Sequence, residues 1–269
     1  MKHRPRPWTP LRASDIQERL RARGLQAPVA VTNETGSTQD DAMAGLRAGA
    51  PHGTVYATER QTRGRGRRGR GWLTTPGGLL FSVITHADAA SPGVPGRLTI
   101  AAAVGAARAI QACTGASASF KWPNDLVFGQ AKAGGVLVET FGNAAVIGVG
   151  INVARGAGLA AGQATTALAA FATRAFDRNE LLASCVVQVL ACLAADGAER
   201  DAIFAEWVRR SMLLGLQVEV SGALCASGVV EGFEPDGTLR LRDAAGNLCR
   251  ISSGEVSLRV LTDTQPQRP

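Results

Sequence analysis

Between Ala118 and Ala154 the chain carries three β-rich segments in close succession: ASFKWPNDLVF, AGGVLVETF and AAVIGVGINVA. Only short, Gly-bearing turns separate them, which commits this part of the chain to a substantial mixed sheet. Two further strand patterns lie upstream, the alternating GTVYATER and the near-continuous apolar GGLLFSVIT, with a strand-to-turn segment, APVAVTNETG, before them. Helical signals alternate with these strands. SDIQERLRARG reads as a short helix capped by Ser14 and stopped by Gly24. Ser37 or Thr38 caps a second helix with Asp40 and Asp41 in its first turn, where the helix dipole favours carboxylates. GRLTIAAAVGAARAIQACTG is a helix buried on most faces. Two amphipathic helices follow in DRNELLASCVVQVLACLAADGA and RDAIFAEWVRRSMLLG, after a pattern-poor segment at 155–166 that reads as a mobile loop.

From Gln217 the texture changes to short alternating segments, punctuated by Pro235-Asp236-Gly237 and Gly246-Asn247, the signature of a small β-barrel. The expected organisation is α+β: a mixed sheet packed with helices over 1–214, then a small barrel domain over 215–269 whose tail, TDTQPQRP, is disordered.

Composition narrows the functional classes. At 269 residues and 45% hydrophobic content the chain can bury one good core and a small second domain. The N-terminus lacks an apolar core for a signal peptide, and LTIAAAVGAARAI is too short to span a bilayer, so a cytoplasmic protein without membrane association is expected. Cys113, Cys185, Cys192, Cys225 and Cys249 are odd in number and widely spaced, which favours buried thiols over a disulfide framework or a metal site. The net charge of +7 suits either nucleic acid or a phosphate-bearing small molecule. Of 29 basic residues only Lys2, Lys121 and Lys132 are lysine, so the two internal lysines mark places where a compact point charge is wanted.

ERQTRGRGRRGRGW, residues 59–72, brings Arg63, Arg65, Arg67, Arg68 and Arg70 together on a glycine-rich segment between two strands. Gly64, Gly66 and Gly69 match a dinucleotide fingerprint in spacing, yet RGWLTTPGG after them cannot start the helix that would hold a pyrophosphate. No Walker A motif occurs. Repulsion among the arginines disfavours a compact loop unless anions are present, so the expectation is a segment disordered alone that closes over a carboxylate and phosphates. Nucleic acid is the second reading of the same loop. In KWPNDL, Pro123 forces a turn that presents Asn124 and Asp125, whose carboxylate could hold a Mg²⁺ together with substrate phosphates. Lys132 leads into a buried strand beside Gly134 and Gly135, which let a ligand approach the backbone.

GRGRRGRGW, KWPNDL, KAGGVLVE, GVGINV and GEVSLR occur in the order and approximate spacing of biotin protein ligases, which the chain resembles over residues 14–262. The resemblance implies a class II synthetase-like catalytic domain followed by an SH3-like barrel. It implies an ATP-dependent enzyme that makes biotinyl-5′-AMP and passes biotin to a lysine of a biotin carboxyl carrier domain, such as that of acetyl-CoA carboxylase. ATP, Mg²⁺ and biotin are the small molecules it implies. No enzyme nucleophile is needed, and among three histidines no Ser-His-Asp or Cys-His constellation stands out.

By matching positions, Ser37, Thr38, Gln39, Gln61, Gly64, Arg65, Gly66, Arg67, Lys132 and Gly135 fall to biotin, with Lys132, Arg67 and Arg65 as the catalytic cations. Arg68, Arg70, Trp72, Lys121, Asn124, Asp125, Asn152 and Arg259 fall to ATP, with Asp125 as the Mg²⁺ candidate. Gln39 stands where the family usually has Asn. Thirty-six residues precede Ser37, too few for the DNA-binding domain of bifunctional members, so a ligase without repressor function or specific DNA binding is expected. A homodimer is left open. A lipoate or octanoyl ligase is the alternative of the same fold, and a basic nucleic-acid-binding protein the alternative of another class.

Overall fold

The structure, a computed structural model, describes residues 9–74, 76–86, 95–154, 159–160, 163–222, 226–252 and 256–261. Helix α1 (Ala13–Arg21) buries Ile16 and Leu20, one helical turn apart. Its cap is Arg12 rather than Ser14. The first intrahelical bond runs from Ile16 N to the Arg12 carbonyl, which leaves Ser14 inside the first turn, its hydroxyl on Asp15. After β1 (Val29–Thr35), Ser37 caps α2 (Thr38–Arg47) by accepting from Gln39 N. Strands β2 (Val55–Gln61) and β3 (Leu79–His86) flank the arginine loop, and α3 (Pro95–Thr114) follows.

The KWPND segment does not continue as one strand. It folds into the hairpin β4 (Ser119–Lys121) and β5 (Asp125–Phe128), with Lys121 opposite Asp125 and a cis Trp122–Pro123 bond in the turn. Strands β6 (Ala131–Phe141) and β7 (Ala144–Ile151) complete a seven-stranded sheet of order β1-β2-β3-β7-β6-β5-β4. It is mixed because β1 and β2 are parallel and every other pair is antiparallel. The segment read as a mobile loop contains a two-stranded ladder, β8 (Leu159–Ala160) with β9 (Gln163–Ala164), and the Thr166 amide donates to the Lys132 carbonyl at 2.8 Å. Residues 155–158 and 161–162 lie outside the described ones.

Alternation along the central strands separates two faces. Phe81 and Val83 of β3, with Ile147 and Val149 of β7, point into the helical layer of α1, α3 and α4 (Arg178–Ala194) and are essentially fully buried. Each such side chain contributes about 1.5–3 kcal/mol. Ser82, Gly148 and Gly150 therefore point the other way, to the face that carries α2. There Ala42, Leu46, Ile84 and Val146 make a small second core, and the rest of that face is left for a cavity.

Helix α5 (Gly197–Arg209) buries Trp207 between Phe120 of β4 and Phe233 of the C-terminal unit. That unit is an antiparallel sheet of β10 (Gln217–Gly222), β11 (Ala226–Phe233), β12 (Leu239–Arg242), β13 (Leu248–Ile251) and β14 (Val256–Val260), in the order β13-β12-β11-β10-β14. Among the described residues β13 and β14 do not pair, so the closure that the sequence pattern predicts for a barrel is not seen there. Cys113, Cys185, Cys192 and Cys249 are free thiols; burial pushes Cys192 up to about 11 and Cys185 further. Cys225 and the tail from Thr262 lie outside the described residues. Among the described residues no helix is long and apolar enough to cross a membrane.

Candidate active site

One cavity occupies the open face of the seven-stranded sheet, between the start of α2, the arginine loop, the β4–β5 turn and the beginning of β6. Its polar end is a hydrogen-bonded row. Gln61 Oε1 accepts from the Thr38 amide at 2.9 Å and lies 3.1 Å from the Thr38 hydroxyl. The Thr38 and Ser82 hydroxyls are 3.0 Å apart, and Ser82 donates to Gln39 Oε1 at 3.1 Å. Gln39 Nε2 donates in turn to the Val146 carbonyl at 3.2 Å. Ser37, Thr38 and Gln39 are each buried, so this row presents neutral donors and acceptors in fixed positions to whatever enters.

Gly148 and Gly150 are required by close approach. A Cβ on Gly148 would stand 2.5 Å from Gln39 Oε1, and one on Gly150 would stand 2.8 Å from the Trp72 ring. Two glycines spaced i, i+2 in an otherwise apolar strand are the sequence signal for a cleared face, and together with Ser82 they are lining residues that the motif reading leaves out.

The opposite end is cationic. Lys132 Nζ sits 2.5 Å from Asp125 Oδ1 and 5.5 Å from the centre of the Trp72 ring. Lys121 lines the same cavity, and burial lowers its ammonium below the ordinary value, Asp125 opposing and Lys132 adding to the fall. Asn124 is stitched to β6, its Nδ2 donating to the Val136 carbonyl at 2.7 Å. Trp72 Nε1 is buried and has no partner among the described residues, a donor that a ligand acceptor would satisfy.

The arginine loop is tied by hydrogen bonds of its own. Gly66 N donates to the Arg70 carbonyl at 2.7 Å, Trp72 N donates to the Gly64 carbonyl at 2.8 Å, and Arg65 bridges to Gly71. The protein supplies the anions itself. Arg65 donates to Asp40 at 2.6 Å and to both Glu139 oxygens at 2.5 and 3.1 Å. Burial alone would lower the Arg65 guanidinium, but Glu139 and Asp40 outweigh it and hold it above its ordinary value. Arg67 turns inward instead, where burial and then Arg70 lower it, with Asp125 opposing.

Fifteen of the eighteen residues assigned from the motifs line this cavity: Ser37, Thr38, Gln39, Gln61, Arg65, Gly66, Arg67, Arg70, Trp72, Lys121, Asn124, Asp125, Lys132, Gly135 and Asn152. Gly64, Arg68 and Arg259 do not. Gly64 closes the neck of the loop from behind, where a Cβ would meet the Trp72 carbonyl at 2.5 Å. Arg68 has a left-handed backbone (φ 60°) and an exposed side chain. Arg259 alternates with Leu258 along β14, and it is Leu258 that reaches the cavity. No cluster of three or more His, Cys, Asp or Glu able to hold a metal occurs among the described residues. Asp125 is already paired with Lys132, so these side chains alone do not form a metal cage.

A neutral hydrogen-bonding row facing a cluster of cations across one sheet defines a site for a small molecule with a polar head and an anionic end. Residues 34–153 match the model of the biotin/lipoate A/B protein ligase family. The chain is 29% identical to the biotin–[acetyl-CoA-carboxylase] ligase of Mycobacterium tuberculosis over 264 residues, 95% of this chain and 98% of that one. It is 28% identical to the bifunctional ligase/repressor BirA of Escherichia coli, over 95% of this chain and 80% of that protein. The solved biotin protein ligase of Aquifex aeolicus, in complex with biotin and ATP, superposes with a TM-score of 0.75 at 27% identity, over 87% of this chain and 99% of that one. Over nearly its whole length the chain is similar to biotin protein ligases.

Proposed function

We propose that the protein activates biotin with ATP to biotinyl-5′-AMP and transfers the biotin to a lysine of a carboxylase biotin carrier domain. The observation that carries this reading is the division of one cavity into the neutral Thr38–Gln61–Ser82–Gln39 row and the Lys132–Arg67–Lys121 cations. A ureido head needs uncharged donors and acceptors, and a carboxylate meeting an α-phosphate needs fixed positive charge.

In this reading Ser37, Thr38, Gln39 and Gln61 hold the ureido ring, and Arg65, Gly66 and Arg67 cover the molecule. Lys132, with Gly135 beside it, stands between the biotin carboxylate and the α-phosphate. The carboxylate oxygen attacks the α-phosphorus, pyrophosphate leaves, and Lys132 and Arg67 offset the negative charge that gathers on the transferring oxygens. Each such donor contributes about 10²–10³ in rate. The carrier amine then attacks the carbonyl carbon of the anhydride, loses a proton and expels AMP. Arg70, Trp72, Lys121, Asn124 and Asn152 take the nucleotide side, where the unpaired Trp72 Nε1 has an acceptor to gain. Mg²⁺ would arrive on the ATP phosphates, where it neutralises charge, with Asp125 as the one cavity carboxylate able to reach it.

The division at 214/215 into a catalytic domain and a small C-terminal domain is part of the proposal, as is closure of the five-stranded sheet into an SH3-like barrel. Its support is the start of β10 at Gln217 and the antiparallel order of the strands. ATP as co-substrate fits a cytoplasmic location. Biotin is preferred to lipoate because the Mycobacterium tuberculosis relative and the Aquifex aeolicus structure are named for biotin and the neutral row would have no counterpart on lipoate's dithiolane ring. The test is biotin-dependent exchange of labelled pyrophosphate into ATP, followed by ATP-dependent labelling of a purified biotin carrier domain, with lipoate in parallel. Exchange supported by lipoate and not by biotin would overturn the reading.

A further inference from the structure

The turn between β11 and β12 reaches back from the C-terminal sheet to the cavity. The Gly237 carbonyl accepts from Trp122 Nε1 at 2.8 Å, and Trp122 is only 3% exposed. The turn is braced on its other side by α3, since a Cβ placed on Gly96 would stand 2.1 Å from the Asp236 carbonyl oxygen. Its own hydrogen bonds leave it little freedom. Gly237 N donates to the Glu234 carbonyl, Glu234 N to the Thr238 carbonyl and Thr238 N to Asp236 Oδ1, each at 2.8 Å. A well-braced carbonyl from a separate sheet therefore fixes the indole of the residue just before Pro123, Asn124 and Asp125.

We infer that the C-terminal sheet positions the β4–β5 turn for ATP through the Gly237–Trp122 hydrogen bond. Trp122 acts as a positioning residue: the Nε1–H takes up the Gly237 carbonyl while the next three residues form the turn that lines the cavity. The β4 strand below is anchored from the same direction. Met212 N donates to the Phe120 carbonyl at 2.9 Å, and the Arg210 guanidinium donates to the Ala118 carbonyl at 2.6 and 2.9 Å. A donor buried against a single carbonyl is costly to orphan, so the two ends move together. The inference rests on the reading that Asn124 and Asp125 face the nucleotide.

The test uses the full chain in biotin-dependent pyrophosphate exchange. Trp122→Phe keeps an aromatic ring and removes the Nε1–H; Gly96→Ala displaces the turn from the far side and touches no cavity residue. Each is expected to raise the KM for ATP roughly tenfold while the Kd for biotin stays at the wild-type value. The double variant should be no worse than the poorer single one, because both break the same link. An unchanged KM for ATP in both variants, with only the melting temperature lowered, makes the contact a packing strut and overturns the inference. Asn124→Ala separates the two levels: if it raises the KM for ATP and Trp122→Phe does not, the strut alone is wrong. If Asn124→Ala is also silent, the nucleotide assignment of the turn fails, and the inference with it.

Discussion

Lys132 Nζ lies 2.5 Å from Asp125 Oδ1, joining the first residue of β5 to the second of β6 across a register shift between Leu126 and Val127. The pair is mostly buried, with side-chain exposures of 23% and 13%. The ammonium is thus held at a fixed point under the arginine loop, which a flexible four-carbon stem would not do unaided.

Lys132→Ala is expected to slow adenylate formation by about 10²–10³, because the ammonium acts where charge develops on the transferring oxygens. Lys121 ends β4 and lines the same cavity. Lys121→Ala should therefore show a smaller loss of the same kind. Pyrophosphate release under single-turnover conditions measures both, and a Lys132 variant within a fewfold of wild type would count against the role.

Arg67→Gly should still make the adenylate but retain it poorly. Arg67 lines the cavity and is half-buried where Arg65 and Arg70 are exposed, and glycine there adds freedom to a segment already rich in it. Biotin blotting of a mixture of carrier domain and albumin reads the outcome: albumin labelling rises with the variant. Labelling confined to the carrier would show that the loop is not what retains the intermediate.

Glu139→Gln combined with Asp40→Asn removes the carboxylates that pair with Arg65. Half-exposed ion pairs contribute about 0.2–1 kcal/mol each, so the fold survives and the loop loosens. Limited proteolysis without ligand should cut the double variant faster within 63–70 than the wild type, and biotin with ATP should restore protection. Equal cutting of both ligand-free proteins would remove Arg65 as the anchor of the loop.

Gly148→Ala drives a methyl to within about 2.5 Å of Gln39 Oε1 and should disturb the ureido end alone. The biotin KM is expected to rise tenfold or more, with little change in the KM for ATP, since burying a mispaired amide costs roughly 1–3 kcal/mol. Steady-state exchange kinetics with each substrate varied in turn would reveal an effect on ATP instead.

Glu206 bonds Arg108 and Arg210 at the junction of α3, α5 and β4. Burial alone would raise its carboxyl, but the two guanidiniums more than offset that and hold it below the ordinary glutamate range. Its folded value is lower than its unfolded value, so the stabilisation is fully present above the unfolded value of about 4.3 and is lost as pH falls through the folded one. Glu206→Gln should lower the melting temperature at neutral pH, and the gap to wild type should close as the pH is brought down past that window. A gap independent of pH would mean that the pair contributes through packing.

Element type was largely readable along the chain, because burial imposes a period of 2 or 3.6 on strands and helices whatever their neighbours. The misplaced cap at Ser14 is a local error of one turn, and in KWPND the turn read at Pro123 divides what the strand pattern runs together. The pairing of Arg65 is of a different kind: Asp40 and Glu139 lie 25 and 74 residues from it, and no local pattern brings them to it.

By itself the sequence determined which residue types the site has to work with: two internal lysines in a chain that otherwise uses arginine, a glycine-rich arginine run, and a proline-bound Asn-Asp turn. Local chemistry suffices for that, since backbone freedom and charge belong to the residues themselves. Only the tertiary structure decided what each of them faces. Strand alternation turned Ser82, Gly148 and Gly150 toward the cavity and placed Leu258 rather than Arg259 at its wall, and long-range pairing tied Arg65 of the cavity lining to the protein's own carboxylates, Asp40 and Glu139. Pairing register and packing depend on contacts between residues far apart in the chain, and a one-residue step along a strand reverses what a side chain meets.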